Sequence, residues 1–452
     1  MQEKSPDLKA RSLWSGLSGV KALTLTPAGR PLSGALRVPG SKSFTNRALI
    51  IAATASGTST LSGILKSDDS YWCIDTLRRL GVAIEVDGDT AVVHGVAGVW
   101  PVSKATLYIG AAGTTARFLP GTLAACAAGE WTIEASERMS ERPIGELTDA
   151  LVTLGADITY LNPGKSFPLR ILGKGLRGGA VTVSGKISSQ FLSGVLIASP
   201  LAQAPVSITV TDGIVQYAYI DMSIALMRQF GAEVTRNAAL THVDVYPGGY
   251  AGQSLSLEAD ASTCGYFFAL AALTQGSVRI TNISYEARTT QPDIQLVDIL
   301  EQMGCRVTRE RRYLEVTGPE KLKGGFKISM REMSDQALTL AALAPFADNA
   351  ITIEGVAHIR HHESDRIKAI CTELSRAGVA VTEHEDGLTI QPGTPLAGSY
   401  SSYDDHRMAM SLSLWGAMVG GIRITDPGCV SKTCPNYFEE IAKLGVGVSE
   451  ER

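Results

Sequence analysis

DTLRRLGVAIEV (75–86), ALVTLGADITYL (150–161), IALMRQFGAEVT (224–235), DILEQMGCRVT (298–308), ELSRAGVAVTE (373–383) and EIAKLGVGV (440–448) repeat one pattern six times. In each copy an amphipathic run ends on an apolar residue and a glycine, and an alternating run follows. The glycines, Gly81, Gly155, Gly231, Gly304, Gly378 and Gly445, fall 74, 76, 73, 74 and 67 residues apart. A near-constant period of this size marks a repeat architecture. Upstream apolar residues such as Ile299, Leu300 and Met303 have helical spacing, and the glycine suits a helix C-cap. Downstream, Val82, Ile84 and Val86 alternate up to Asp87-Gly88, and Ala91 and Val93 resume the alternation, which predicts a hairpin.

A second helix is expected upstream in every copy, within 43–57, 114–129, 188–202, 262–276, 334–348 and 404–421. These segments are apolar on nearly all sides, so each reads as a helix surrounded by sheet. Their leading turns carry PGSKS (39–43), GAAGT (110–114), SSQ (188–190), DAST (260–263), SD (334–335) and DDHR (404–407). Free N–H groups at a helix start attract anions, although Ser, Thr and Asp there also serve as ordinary caps. Capping leaves unexplained why Lys42, Arg47, Arg117, Gln190, His406 and Arg407 gather in the same turns. Gly40 and Gly113 are expected to let backbone approach an anion.

A length of 452 residues suggests about three domains at roughly 150 residues each, but six units grouped three and three predict two. With 41 Lys+Arg against 45 Asp+Glu, the net charge of -4 argues against a general nucleic-acid binder, which needs a basic excess. The seven cysteines are scattered without a CxxC pair, so neither a disulfide framework nor a zinc site is expected. His358, His361 and His362 form the one histidine cluster, with no further cysteine or histidine group nearby to complete a metal shell. No run of about 18 apolar residues occurs, and no apolar stretch follows the first lysines; a cytoplasmic protein is expected.

PGSKSFTNRAL (39–49), AGTTARF (112–118), ERPIGEL (141–147), SSQFLSG (188–194), DAST (260–263), ESDRI (363–367), YDDHRMAM (403–410) and SKTCPNYF (431–438) occur in this order. Together they resemble the 5-enolpyruvylshikimate-3-phosphate synthase family, from about residue 22 to the end. The resemblance implies a two-domain inside-out α/β barrel, the enolpyruvyl transferase fold, with an active site closing between the domains. The expected division is an N-terminal extension (1–21), one domain of 22–40 plus 259–452, and another of 41–258. The extension carries no motif and is expected to be mobile or at the surface.

In that family phosphoenolpyruvate gives its enolpyruvyl group to the 5-hydroxyl of shikimate 3-phosphate and phosphate leaves. The match implies that Lys42, Gly113, Arg142, Gln190, Arg366, Arg407 and Lys432 bind phosphoenolpyruvate. It places Lys42, Ser43, Arg47, Ser188, Ser189, Gln190, Gln216, Tyr219, Asp335, His358 and His362 around the acceptor. Asp335, Glu363 and Lys42 are then the catalytic groups. Asp335 would orient or deprotonate the hydroxyl, and Glu363 would protonate the donor methylene and later take a proton from the methyl. Read alone, Asp335 could cap its helix and Glu363 could pair with Arg366. No cofactor or metal, a monomer, and competition by glyphosate beside Gly113 are also implied.

The sequence departs from the pattern on the acceptor side. Ala111 replaces the usual asparagine, Gln216 a small hydroxyl residue, and His358 and His362 stand where asparagine and lysine are common. A charged His362 would supply a cation, so acceptor affinity is expected to fall as pH rises past about 6.5. The alternatives are a paralogous enolpyruvyl transferase acting on a different cyclic alcohol and, more distantly, a repeat-built nucleic-acid or RNA-processing protein. A basic track would mark the latter, and the sequence has no Lys/Arg-rich run.

Overall fold

The structure, a computed structural model, describes residues 6–186, 188–283, 285 and 291–452. Six four-stranded sheets share one strand order. In one of them Lys104–Tyr108 runs parallel to Glu130–Glu134, which pairs antiparallel with Leu169–Leu172, itself antiparallel to Asp157–Tyr160. Each repeat is therefore strand, buried helix, strand, outer helix and hairpin. The six marker glycines end the outer helices with φ between 77° and 122°, a left-handed conformation that a side chain would strain. In the first copy Ala83–Asp87 pairs with Thr90–Val96 across a two-residue turn.

The predicted inner helices form at Lys42–Thr54, Gly113–Ala124, Ser189–Ala198, Ala261–Thr274, Ala337–Leu343 and His406–Ser413. All residues of Gly113–Ala124 and all but the last of Ala261–Thr274 are buried. A helix satisfies its own backbone, so it can sit at the centre while alternating strands turn one face inward and one to water. Side chains such as Phe267, Phe268 and Trp415 each add roughly 1.5–3 kcal/mol through burial, and the Trp415 indole donates to the Ala342 carbonyl at 3.0 Å.

The chain forms two compact units. One comprises Asp7–Leu13 with Gly40–Glu258, the other Trp14–Pro39 with Ala259–Arg452. Within the first, Ser254–Ser256 returns to pair parallel with Ser56–Ser62 and completes the opening repeat. Within the second, Ser33–Leu36 pairs parallel with Ser277–Ile280, and Ala22–Thr26 lies between Ile422–Thr425 and Gly447–Glu451. Each unit thus contains three sheets around three inner helices.

Residues 7–13 of the extension, in which no motif is legible, are fixed by hydrogen bonds to the 40–258 unit. Its first five residues lie outside the described ones. At Gly40 a Cβ would fall 1.8 Å from the Gly63 carbonyl oxygen, so backbone packing by itself already requires glycine at that position. No helix among the described residues is long and apolar enough to cross a membrane.

Candidate active site

Four of the six inner helices begin on a capped turn. Ser41, Ser188, Asp260 and Asp405 accept from the backbone N–H groups of Phe44, Gln190, Thr263 and Arg407. Ser188 is one such cap, its hydroxyl accepting from Gln190 N–H at 3.2 Å. The Gly113 helix has no side-chain cap on its Ala112 start. A cationic pair lies beside it: a Cβ on Gly113 would lie 3.1 Å from Arg142 Nη1 and 3.6 Å from Arg117 Nη1, and Arg117 Nη1 donates to the Gly113 carbonyl at 3.3 Å. Helix dipole and guanidinium groups of one sign meet at that glycine, as an anion-binding turn requires.

In the same unit Arg47 is fully buried and, among the described residues, makes only neutral contacts. Its Nε donates to Ser223 Oγ at 2.8 Å, Nη1 to the Ser43 carbonyl at 3.0 Å and Nη2 to Ser193 Oγ at 3.4 Å. Its guanidinium carbon lies 4.8 Å from the Phe118 ring centre and 5.9 Å from that of Tyr219. No carboxylate among the described residues forms an ion pair with it, and burial lowers its pKa to about 10. A buried cation held by hydroxyls and ring faces is poised for an external anion. Lys42, by contrast, pairs with Asp69 at 3.9 Å. Ser189 is buried beside its cap Ser188, and Gln216 takes a left-handed φ of 54° three residues before Tyr219. Gln190 and Ala111 are half-buried, Ala111 in the turn leading to Gly113.

The second unit gathers carboxylates around two arginines. Asp335 bridges them, with Oδ1 accepting from Arg366 Nη1 at 3.1 Å and Oδ2 from Arg407 Nη2 at 2.8 Å. It does not cap its helix, since the turn Ser334–Gln336 has no side-chain cap. Glu363 Oε2 accepts from Arg366 Nη2 at 2.9 Å, so the pairing expected one turn on is real. Asp405 accepts from Arg366 Nε at 2.8 Å and from Ser364 Oγ at 2.9 Å. Burial alone would lower the Arg366 pKa, but Asp405, Glu363 and Asp335 outweigh it and hold it above the ordinary arginine value. Arg407 is raised in the same way, chiefly by Asp335 against burial. Lys432 is buried at the end of the turn Pro427–Lys432.

Burial pushes the pKa of both His358 and His362 below the ordinary value, which runs against the charged imidazole that the expected pH dependence of acceptor binding needs. His358 is buried with Nε2 2.7 Å from Ser334 Oγ, and desolvation lowers its pKa to about 4. His362 Nδ1 lies 3.0 Å from Arg366 Nη1, a group that can only donate, so Nδ1 carries the lone pair. Desolvation and then Arg366 hold its pKa well below 6.5. Neither ring can supply the missing cation at neutral pH. Each can offer a neutral hydrogen bond.

Two anion-ready groups, Arg47 and the Gly113 turn, thus stand in one unit, and a carboxylate–arginine cluster suited to proton transfer stands in the other. The family model of EPSP synthase (3-phosphoshikimate 1-carboxyvinyltransferase) matches residues 27–441. The chain belongs to the EPSP synthase family. It is 55% identical over 444 residues to 3-phosphoshikimate 1-carboxyvinyltransferase 2 of Halalkalibacterium halodurans, covering 98% of each chain. The chloroplastic 3-phosphoshikimate 1-carboxyvinyltransferase of Arabidopsis thaliana is 38% identical, over 97% of this chain and 87% of its own. A solved EPSP synthase from Acinetobacter baumannii superposes with a TM-score of 0.81 at 26% identity, covering 96% of this chain and 100% of its own.

The structure adds residues that the sequence did not single out. Asp405 is the buried partner of Arg366, Ser193 and Ser223 hold Arg47, and Asp69 holds Lys42. The only available signal was type: an acid just before a functional arginine, and small hydroxyls on inner helices. Their partners stand far away in sequence.

Proposed function

We propose that this chain transfers the enolpyruvyl group of phosphoenolpyruvate to the 5-hydroxyl of shikimate 3-phosphate and releases phosphate. The observation that carries the residue assignment is Asp335 bridging Arg366 and Arg407 with Glu363 on the same guanidinium. Each Asp335 oxygen receives one arginine N–H, which fixes the orientation in which the carboxylate meets a substrate hydroxyl. In this reading the hydroxyl, oriented and deprotonated by Asp335, bonds to donor C2 as Glu363 delivers a proton to C3. The tetrahedral ketal then collapses: its C2–O bond to phosphate breaks and a carboxylate takes a proton back from the methyl group.

Arg366 and Arg407 hold the donor carboxylate, and Lys42, Arg142, Gln190 and Lys432 its phosphate, at the uncapped turn of Gly113. Arg47, with Ser43, Ser188, Ser189, Gln216 and Tyr219, takes the acceptor phosphate, while His358 and His362 offer neutral hydrogen bonds to the acceptor. Arginine suits such planar two-point recognition, and lysine acts as a point charge. Identity of 55% across nearly the whole chain favours this acceptor over a different cyclic alcohol and lends no support to a nucleic-acid clamp. All seven cysteines are buried and free, which suits the reducing cytoplasm, and we take the working form to be a monomer.

The test is a pair of isosteric variants. D335N and E363Q should lower kcat by about 10²–10⁴-fold while calorimetric Kd values for both substrates change by less than about tenfold. Near-normal turnover of either variant rejects its assigned role.

A further inference from the structure

The extension lies outside the residues that the family model matches, yet it meets the anion-binding elements of the 40–258 unit at three points. Ser12 donates twice to one oxygen, from its backbone N–H to Asp68 Oδ1 at 2.9 Å and from its hydroxyl at 2.7 Å. Trp72 Nε1 donates to the Ala10 carbonyl at 2.7 Å, and the Tyr108 hydroxyl donates to the Lys9 carbonyl at 3.2 Å. The Trp72 and Tyr108 rings meet edge to face at 5.0 Å.

Each contact leads to a donor-binding group. Asp68 and Asp69 are consecutive, both buried in the first turn of the helix Asp68–Arg79, and Asp69 is the ion-pair partner of Lys42. Trp72, one turn on, lies with its ring directly against Gly110, where a Cβ would come within 2.4 Å of Trp72 Cδ1. Gly110 opens the turn that ends in Gly113. The same indole therefore touches the extension through its N–H and packs its five-membered ring against the turn that ends in Gly113.

We propose that Leu8–Ser12 is a positioning element for phosphoenolpyruvate binding. Ser12 fixes Asp68 and, through the rigid first turn, Asp69 and its grip on Lys42. Ala10 and Lys9 fix Trp72 and Tyr108 and so the height of the Gly110–Gly113 turn. Displacement of such supporting groups by a fraction of an ångström loosens a site that remains chemically complete. The inference rests on the reading of Lys42 and Gly113 as donor-binding groups.

The experiment is steady-state kinetics on full-length S12A, S12T, W72F and K42M, with a thermal melt of each. S12A and W72F should raise KM for phosphoenolpyruvate about five- to tenfold, the scale of one lost hydrogen bond. Their kcat and KM for shikimate 3-phosphate should stay within about twofold, and S12T should restore the donor KM. An unchanged donor KM in S12A and W72F overturns the proposal, as does a fall in kcat alone, which reports only lost folded enzyme. If K42M leaves the donor KM unchanged, the underlying binding assignment fails and the proposal falls with it. A K42M effect without a Ser12 or Trp72 effect removes the proposal alone.

Discussion

Arg366 and Asp405 form an ion pair out of reach of water, with Nε to Oδ2 at 2.8 Å and side chains 1% and 0% exposed. Asp405 also accepts from the backbone N–H of Arg407 at 2.9 Å, so one carboxylate holds one arginine by its side chain and starts the helix that carries the other. Removing one partner of such a pair leaves a buried charge short of its counterion, at a cost of about 3–5 kcal/mol. D405N should therefore lower the melting temperature markedly and raise KM for phosphoenolpyruvate. A variant that melts with the parent and binds donor normally contradicts this account of Asp405.

Arg47 should behave in the opposite way. Its charge is buried among hydroxyls and rings without a carboxylate, so Met, of similar length and no charge, removes a desolvation penalty. R47M should match or exceed the parent in stability, by up to about 1 kcal/mol, yet raise KM for shikimate 3-phosphate by about 10²-fold through lost charge-assisted bonds. Donor affinity measured by calorimetry should change little. Loss of stability without loss of acceptor binding would make Arg47 a structural residue.

His358 sets a pH dependence of stability. Its folded pKa, about 4, lies below the ordinary value of 6.5, so between these values the unfolded chain binds more protons. The stabilisation is complete above pH 6.5 and is lost as pH falls through 4, by roughly 3 kcal/mol in all. Denaturant melts over pH 4–8 should show this slope, and H358N should reduce it, leaving the part that His362 contributes in the same direction. Because neither His358 nor His362 becomes charged above pH 6.5, H362N should leave the pH profile of acceptor Kd unchanged from pH 6.5 to 8. A change in slope would restore a role for a charged imidazole.

Gly113 has no room to spare on its guanidinium side. A methyl group there meets Arg142 Nη1 at 3.1 Å, and the arginine must give way. G113A should raise KM for phosphoenolpyruvate and weaken glyphosate competition, with KM for shikimate 3-phosphate unaffected. Inhibition of the parent that is not competitive with phosphoenolpyruvate would contradict the donor pocket around Gly113.

The repeat was legible because its signals are local. Helix period, a terminal glycine and strand alternation lie within about 12 consecutive residues, and all six glycines take the left-handed conformation that their place requires. Candidate site residues were legible through the family motifs, and their partners were not. Arg366 meets Asp405 across 39 positions and Arg47 meets Ser223 across 176, separations that no window of sequence links. The neutral state of His362 was hidden for a related reason: it follows from burial and from Arg366 donating to the ring, neither of which the HIRHHESDR stretch displays. Ser12 escaped notice because a lone serine in a motif-free segment carries no pattern at all.

The central claim is the reaction itself. When the purified chain is mixed with phosphoenolpyruvate and shikimate 3-phosphate, phosphate should appear in step with an enolpyruvyl ether on the 5-hydroxyl, followed by phosphorus and proton NMR. Omitting either substrate should abolish both signals. Donor binding without phosphate release in the presence of shikimate 3-phosphate would contradict the assignment of the acceptor.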